Sequence, residues 1–152
     1  MNKAISIKLL LAAIFVLSCQ QRIDVSSEKP KVELALHRFF NAIANYDYQE
    51  LRNACTADYQ LIEDGSFWTV DTLIEAIRPM EGNVKIVYSF ENMNATIEGG
   101  IAWLTYKNKA VLTSKEGGEN LEWAESAVFR KENNVWKMAL LHSTRLKTKE
   151  EK

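Results

Sequence analysis

The chain has 152 residues, 47% of them hydrophobic and 26% charged, which is the composition of one ordinary globular domain. A formal charge of −1, from 19 basic and 20 acidic side chains, gives no electrostatic reason to expect a nucleic-acid partner, and none is expected. His37 and His142 are too few and too far apart for a metal site, and no nucleophile elbow, phosphate loop or dinucleotide fingerprint appears.

The first segment, "MNKAISIKLLLAAIFVLSC", has Lys3 and Lys8 followed by an apolar run from Leu9 to Leu17. That run is short for a bilayer span and matches the hydrophobic region of a secretory signal. Its end, "VLSC", resembles the bacterial lipoprotein box, in which an obligatory cysteine follows a small residue. The resemblance implies cleavage after Ser18, lipidation of Cys19 and anchorage in the cell envelope. Gln20 after the cysteine points to the outer membrane under the same rule. Two or three acyl chains suffice for stable anchorage, at about 0.8 kcal/mol per buried methylene. Residues 1–18 are then the signal peptide and 19–29, polar and aperiodic, a lipidated tether. With Cys19 lipidated, Cys55 is left without a disulfide partner and reads as a small core residue.

The domain is expected over residues 30–146, with a polar tail at 147–152. Pro30 suits the first turn of a helix that carries Val32, Leu36, Phe39, Phe40 and Ile43 at helical spacing. A second helix opens at Asp47, with Glu50 three residues on, and carries Leu51, Ala54 and Cys55. "DYQLIEDG" reads as a strand ending in a turn, and "VDTLIEAIR" as a third helix stopped by Pro79. After Gly82 the period becomes two. "VKIVYSF" alternates, "NATIEGGIAWLTY" reads as two strands joined at Glu98-Gly99-Gly100, "KEGGEN" breaks the next pair, and Asn133-Asn134 closes the last hairpin. Helices followed by antiparallel strands give an α+β fold with the helices on one face of a curved sheet.

In the last strand, Trp136, Met138, Leu140, His142 and Thr144 share one face if alternation is unbroken. With Asn133-Asn134 as the loop, paired residue numbers sum to 267, which sets Glu125 directly opposite His142. A one-residue bulge would break that register. His142 is then either a polar anchor oriented by Glu125 or a hydrogen-bonded core histidine.

"LHRFFNAIANYDYQELRNACTADYQLIEDG" together with the ending "ESAVFRKENNVWKMALLHSTR" resembles the nuclear transport factor 2-like superfamily, nearest its SnoaL-like and ketosteroid-isomerase-like domains. The resemblance implies a cystatin-like cone, a strongly curved mixed or antiparallel sheet wrapped around N-terminal helices, with a pocket at its open end. Members include isomerases, dehydratases, ligand binders and assembly modules, commonly as dimers, and need no cofactor. It places Asp64, beside Glu63, at the general-base position of the isomerase-like members, although Asp64 before Gly65 is equally a turn residue. Those enzymes take an enolate donor from a first-helix tyrosine, where this chain has Phe39 and Phe40. The expected catalytic set is therefore Asp64, Glu125 and His142. Tyr59, Trp68, Trp103, Trp123 and His142 are the expected pocket residues. A small, partly apolar molecule is the expected ligand. An isomerase or hydrolyase and a protein–protein assembly module are the alternatives.

Overall fold

A computed structural model describes residues 25–147. Cys19, the signal segment, most of the expected tether and residues 148–152 lie outside them. Helix α1 (Val25–Ala44) starts before Pro30, so residues 25–29, expected in the tether, are helical and Pro30 sits inside the helix. The reason is tertiary. Glu28 is buried and accepts hydrogen bonds from Lys31 Nζ (2.8 Å), Lys131 Nζ (2.9 Å) and Trp136 Nε1 (2.7 Å). These donors hold its carboxyl down at about 2. They dock the start of α1 against the last hairpin, more than a hundred residues away in sequence.

The predicted apolar stripe of α1 is buried as expected, and each large side chain contributes about 1.5–3 kcal/mol of transfer free energy. Two residues beyond the helix, Tyr46 holds φ at 56° where a glycine would be usual and is fixed by its hydroxyl donating to Val84 O at 2.6 Å. Helix α2 (Tyr48–Ala54) follows with Asp47 as its N-cap, accepting from the Glu50 amide at 2.9 Å. Cys55 is not helical as expected. It opens strand β1 (Cys55–Glu63) and is buried, and burial pushes its thiol up to about 12.

Strand β2 (Ser66–Trp68) returns along β1 through Asp64 and Gly65, both at positive φ, as a two-residue hairpin demands. Helix α3 (Val70–Ile77), capped by Thr69, buries Leu73, Ile74 and Ile77 and passes into a short 3₁₀ turn at Arg78–Met80. Strand β3 (Lys85–Glu98) is one strand where the sequence suggested two pieces. Its register shifts between Glu91 and Asn94, with Asn92 at φ 54°, and this irregularity hides the continuity. Strands β4 (Ile101–Ser114), β5 (Gly117–Glu132) and β6 (Val135–Arg145) complete a six-stranded sheet in the order β2-β1-β6-β5-β4-β3. The β1–β6 pair is parallel and the others antiparallel, so the sheet is mixed. The three helices close its concave face, and the core lies between them. On the convex face Arg130 makes a bidentate pair with Asp58 (2.8 and 2.5 Å), tying β5 to β1 across β6.

The last hairpin decides the site. Asn133 and Asn134 form the loop at φ 50° and 64°, and pairs from Glu132↔Val135 to Phe129↔Met138 keep the predicted sum. A bulge then intervenes at Ala139. Beyond it Val128 faces Leu140, Ser126 faces His142, and Glu125 faces Ser143. The extra residue reverses the phase, so Leu141 and Ser143 turn inward while Leu140, His142 and Thr144 turn outward.

Candidate functional site

A cavity of about 220 Å³ lies between the helices and the concave sheet. Phe39, Phe40 and Ile43 of α1, with Leu73 and Ile77 of α3, wall one side. They stand there because the 3.6-residue period of both helices turns these positions inward. Trp68, Tyr88, Trp123 and Leu141 close the sheet side, and exposed Ala76 marks the opening.

The polar part is small and comes from four strands. Glu125 on β5 is buried, and its Oε1 accepts from Asn108 Nδ2 (3.2 Å) and from Ser143 Oγ (3.1 Å). Its Oε2 has no partner, nor does Asn108 Oδ1. The Tyr106 hydroxyl approaches the same carboxyl without completing an aligned hydrogen bond. Burial pushes Glu125 up to about 7. Asn108, Tyr106 and Ser143 pull the other way, and neighbouring Glu63 adds to the rise. Glu63 ends β1, lines the same cavity and accepts from Trp123 Nε1 at 3.2 Å. Its carboxyl is also raised, chiefly by burial, and the Ser143 hydroxyl lies within its reach too. The Ser143 proton is given to Glu125.

The expected residues divide. Glu125, Trp68 and Trp123 line the cavity. His142 does not meet Glu125. The bulge puts it on the convex face, exposed and paired with Ser126, so the expected Glu125–His142 pair is corrected to Glu125–Ser143. Asp64 is exposed in the β1–β2 turn and accepts from the Arg145 amide (3.3 Å). It serves as a turn residue there, and its neighbour Glu63 is the carboxylate that reaches the cavity. Trp103 lies on the convex face, 43% exposed, because inward positions of β4 are the even-numbered ones. Tyr59 is buried in the core, with its hydroxyl unpartnered, and is not part of the cavity wall. His37 is exposed, its ring edge-on to Phe90.

Asn108 and Ser143 were missed. Asn108 sits between Lys107 and Lys109 in a strand that otherwise alternates apolar residues, and a polar residue at an inward position was the available signal. Among the described residues no three His, Cys, Asp or Glu side chains gather where they could share a metal ion, and no helix is long and apolar enough to cross a membrane.

Comparison with known proteins bears on this arrangement. No curated protein matches the chain in sequence. By structure it is similar to a proposed dehydratase of the nuclear transport factor 2-like family from Streptomyces avermitilis, with a TM-score of 0.70 and 15% identity over 81% of this chain and 99% of that one. It is also similar to the association domain of C. elegans CaMKII, with a TM-score of 0.66, 18% identity, and 78% and 98% of the two chains covered. A ketosteroid isomerase-like protein from Erwinia carotovora atroseptica gives 0.63 at 17% identity, covering 80% and 98%. At such identities the likeness is one of fold. A family model described as the SnoaL-like domain matches residues 32–144, and the chain belongs to that family.

Proposed function

We propose that this SnoaL-like domain binds a small, partly apolar molecule in its cone pocket, with Glu125 and Glu63 as the polar contacts. The observation that carries the reading is an apolar-walled cavity of about 220 Å³ with a buried, incompletely bonded carboxyl at its floor. For scale, an engineered cavity of about 150 Å³ takes up benzene. A ring with a short substituent therefore fits.

The alternative is an isomerase or hydrolyase in which Glu125, titrating near neutrality, transfers a proton. Such chemistry also needs a donor to a developing oxyanion. Asn108 Nδ2 and Ser143 Oγ are turned to Glu125 and Trp123 Nε1 to Glu63, which leaves the Tyr88 hydroxyl for that task. The assembly reading draws support from exposed Val87, Trp103 and Val111 on the convex face. Ion pairs of Lys107 with Glu122 (2.6 Å) and Lys109 with Glu91 (2.6 Å) divide that surface and weigh against it.

Trp68 and Trp123 report on the pocket, so tryptophan emission is titrated with a panel of small aromatic compounds. Saturable quenching is expected for some members. Ala76→Trp at the opening should weaken it about tenfold or more by filling the entrance. A panel without effect, or binding that survives Ala76→Trp unchanged, refutes pocket binding.

The same proposal includes lipid anchorage through Cys19 at the outer membrane, supported by "VLSC" and Gln20. With α1 beginning at Val25, residues 20–24 reach at most about 18 Å. The start of α1 docks at Trp136, whereas the cavity lies toward Ser143, seven positions further along β6. The pocket then sits at the end of the domain remote from the anchor and takes its ligand from the aqueous side. Mass spectrometry of the native protein tests the anchorage, with diacylglycerol on Cys19 expected and lost in Cys19→Ser. An unmodified Cys19 in the mature protein sinks it.

A further inference from the structure

Resting on the pocket reading above, we infer that the ligand is a small aryl or alkyl amine whose ammonium group sits between Glu63 and Glu125. The first ground is the sign of the lining. Among the described residues it contains two carboxyl groups and no lysine, arginine or histidine. Arg145, which acts on Glu63, lies 5.4 Å above the Trp123 ring, bonds Glu119 at 3.3 Å and does not line the cavity.

The second ground is which hydrogen-bonding capacity is spent. The donors Asn108 Nδ2, Ser143 Oγ and Trp123 Nε1 are engaged with the two carboxyls, which leaves the Tyr88 hydroxyl as the remaining side-chain donor of the lining. Two fully buried polar atoms of lining residues have no partner, Asn108 Oδ1 and Glu125 Oε2, and both are acceptors once Glu125 is ionised. A buried acceptor without a donor is costly, and an ammonium group carries several N–H donors on one atom.

The third ground is the wall. Phe39, Phe40, Trp68, Tyr88 and Trp123 line the same cavity as the two carboxyls, a setting that suits an apolar body behind a cationic head. An anionic ligand would meet two carboxyls and no cation. A neutral alcohol brings one donor for two acceptors.

Proton linkage follows from the same groups. Glu125 faces Glu63 and Tyr59 from β1, Tyr88 from β3, Tyr106 and Asn108 from β4, and Ser143 from β6, while α1 and α3 present apolar side chains to the cavity. Glu63 also feels Asp64 and Arg145. The Glu125 carboxyl titrates at about 7, so ammonium binding requires release of its proton and tightens as pH rises from 6 to 8.

The test is calorimetric titration of the full-length chain in detergent with three probes of similar size: 2-phenylethylamine, 2-phenylethanol and phenylacetate. At pH 8 the amine should bind at least about tenfold tighter than the alcohol, the increment of one charge-assisted hydrogen bond, and phenylacetate should not bind. Amine affinity should fall about tenfold at pH 6. Glu125→Gln should remove about tenfold of amine affinity and spare the alcohol, and Glu63→Gln provides a second variant with the same expectation. An alcohol as tight as the amine, a preference for phenylacetate, or an amine preference that survives both substitutions overturns the ammonium assignment and leaves the pocket reading standing. Binding by none of the three also overturns it, and the fluorescence panel with Ala76→Trp then decides the pocket reading separately.

Discussion

Replacing Glu125 by glutamine should stabilise the protein, and the size of the effect follows from its site. The folded carboxyl titrates at about 7 against an ordinary 4.5, because burial outweighs the hydrogen bonds from Asn108 and Ser143. Between those two values the folded chain keeps a proton that the unfolded chain has released, so stability falls as pH rises through the interval. At about 1.36 kcal/mol per pH unit, the full displacement amounts to ~3 kcal/mol. Glutamine resembles the protonated acid in shape and leaves Oε1 as an acceptor for the same two donors. The variant should therefore exceed the parent by less than about 1 kcal/mol at pH 5 and by about 3 kcal/mol at pH 8. Urea melts of both chains at half-unit steps from pH 5 to 8 measure this, and their difference cancels every other titrating group. A variant less stable than the parent at pH 8 would refute the argument. It would mean that the carboxylate is ionised and well satisfied in the fold.

Three further outcomes follow. His142→Phe should change stability by no more than about 0.5 kcal/mol and leave pocket binding intact, since His142 is exposed on the convex face; a thermal melt with the fluorescence titration checks both. Trp136→Phe should cost about 1 kcal/mol or more in a urea melt by removing the 2.7 Å bond to Glu28, and should speed hydrogen exchange at the start of α1. Cys55 should resist a thiol reagent in the folded protein at pH 8 and react on unfolding, because its thiol is buried and held near 12.

Local chemistry made much of this fold legible. The stripe from Val32 to Ile43 is a 3.6-residue repeat with one way to be buried, and Asp47 with Glu50 marks a helix start by a bond that forms within four residues. Asn133-Asn134 fixes the last hairpin because both residues tolerate positive φ. Glu28 was not legible. It lies among serines and lysines that read as a solvated tether, and the partners that bury it, Lys131 and Trp136, come from the far end of the chain.

The site turned on a single residue. In "KMALLHST" positions 138–141 are all apolar, so alternation is equally satisfied whether Leu140 or Leu141 faces the core, and the sequence carries no mark of the phase change at Ala139. Geometry chooses. Strand β6 is held between parallel β1 and antiparallel β5, both of which carry register shifts along it, and a bulge lets it bend with them. The bend presents Ser143 rather than His142 to Glu125. A serine hydroxyl reaches the carboxyl at 3.1 Å without filling the space in front of it, whereas an imidazole at that position would occupy cavity volume and bring a titratable base. The extra residue thus leaves the cavity, among the described residues, with two carboxyls and no histidine, lysine or arginine in its lining. The ammonium assignment rests on that arrangement.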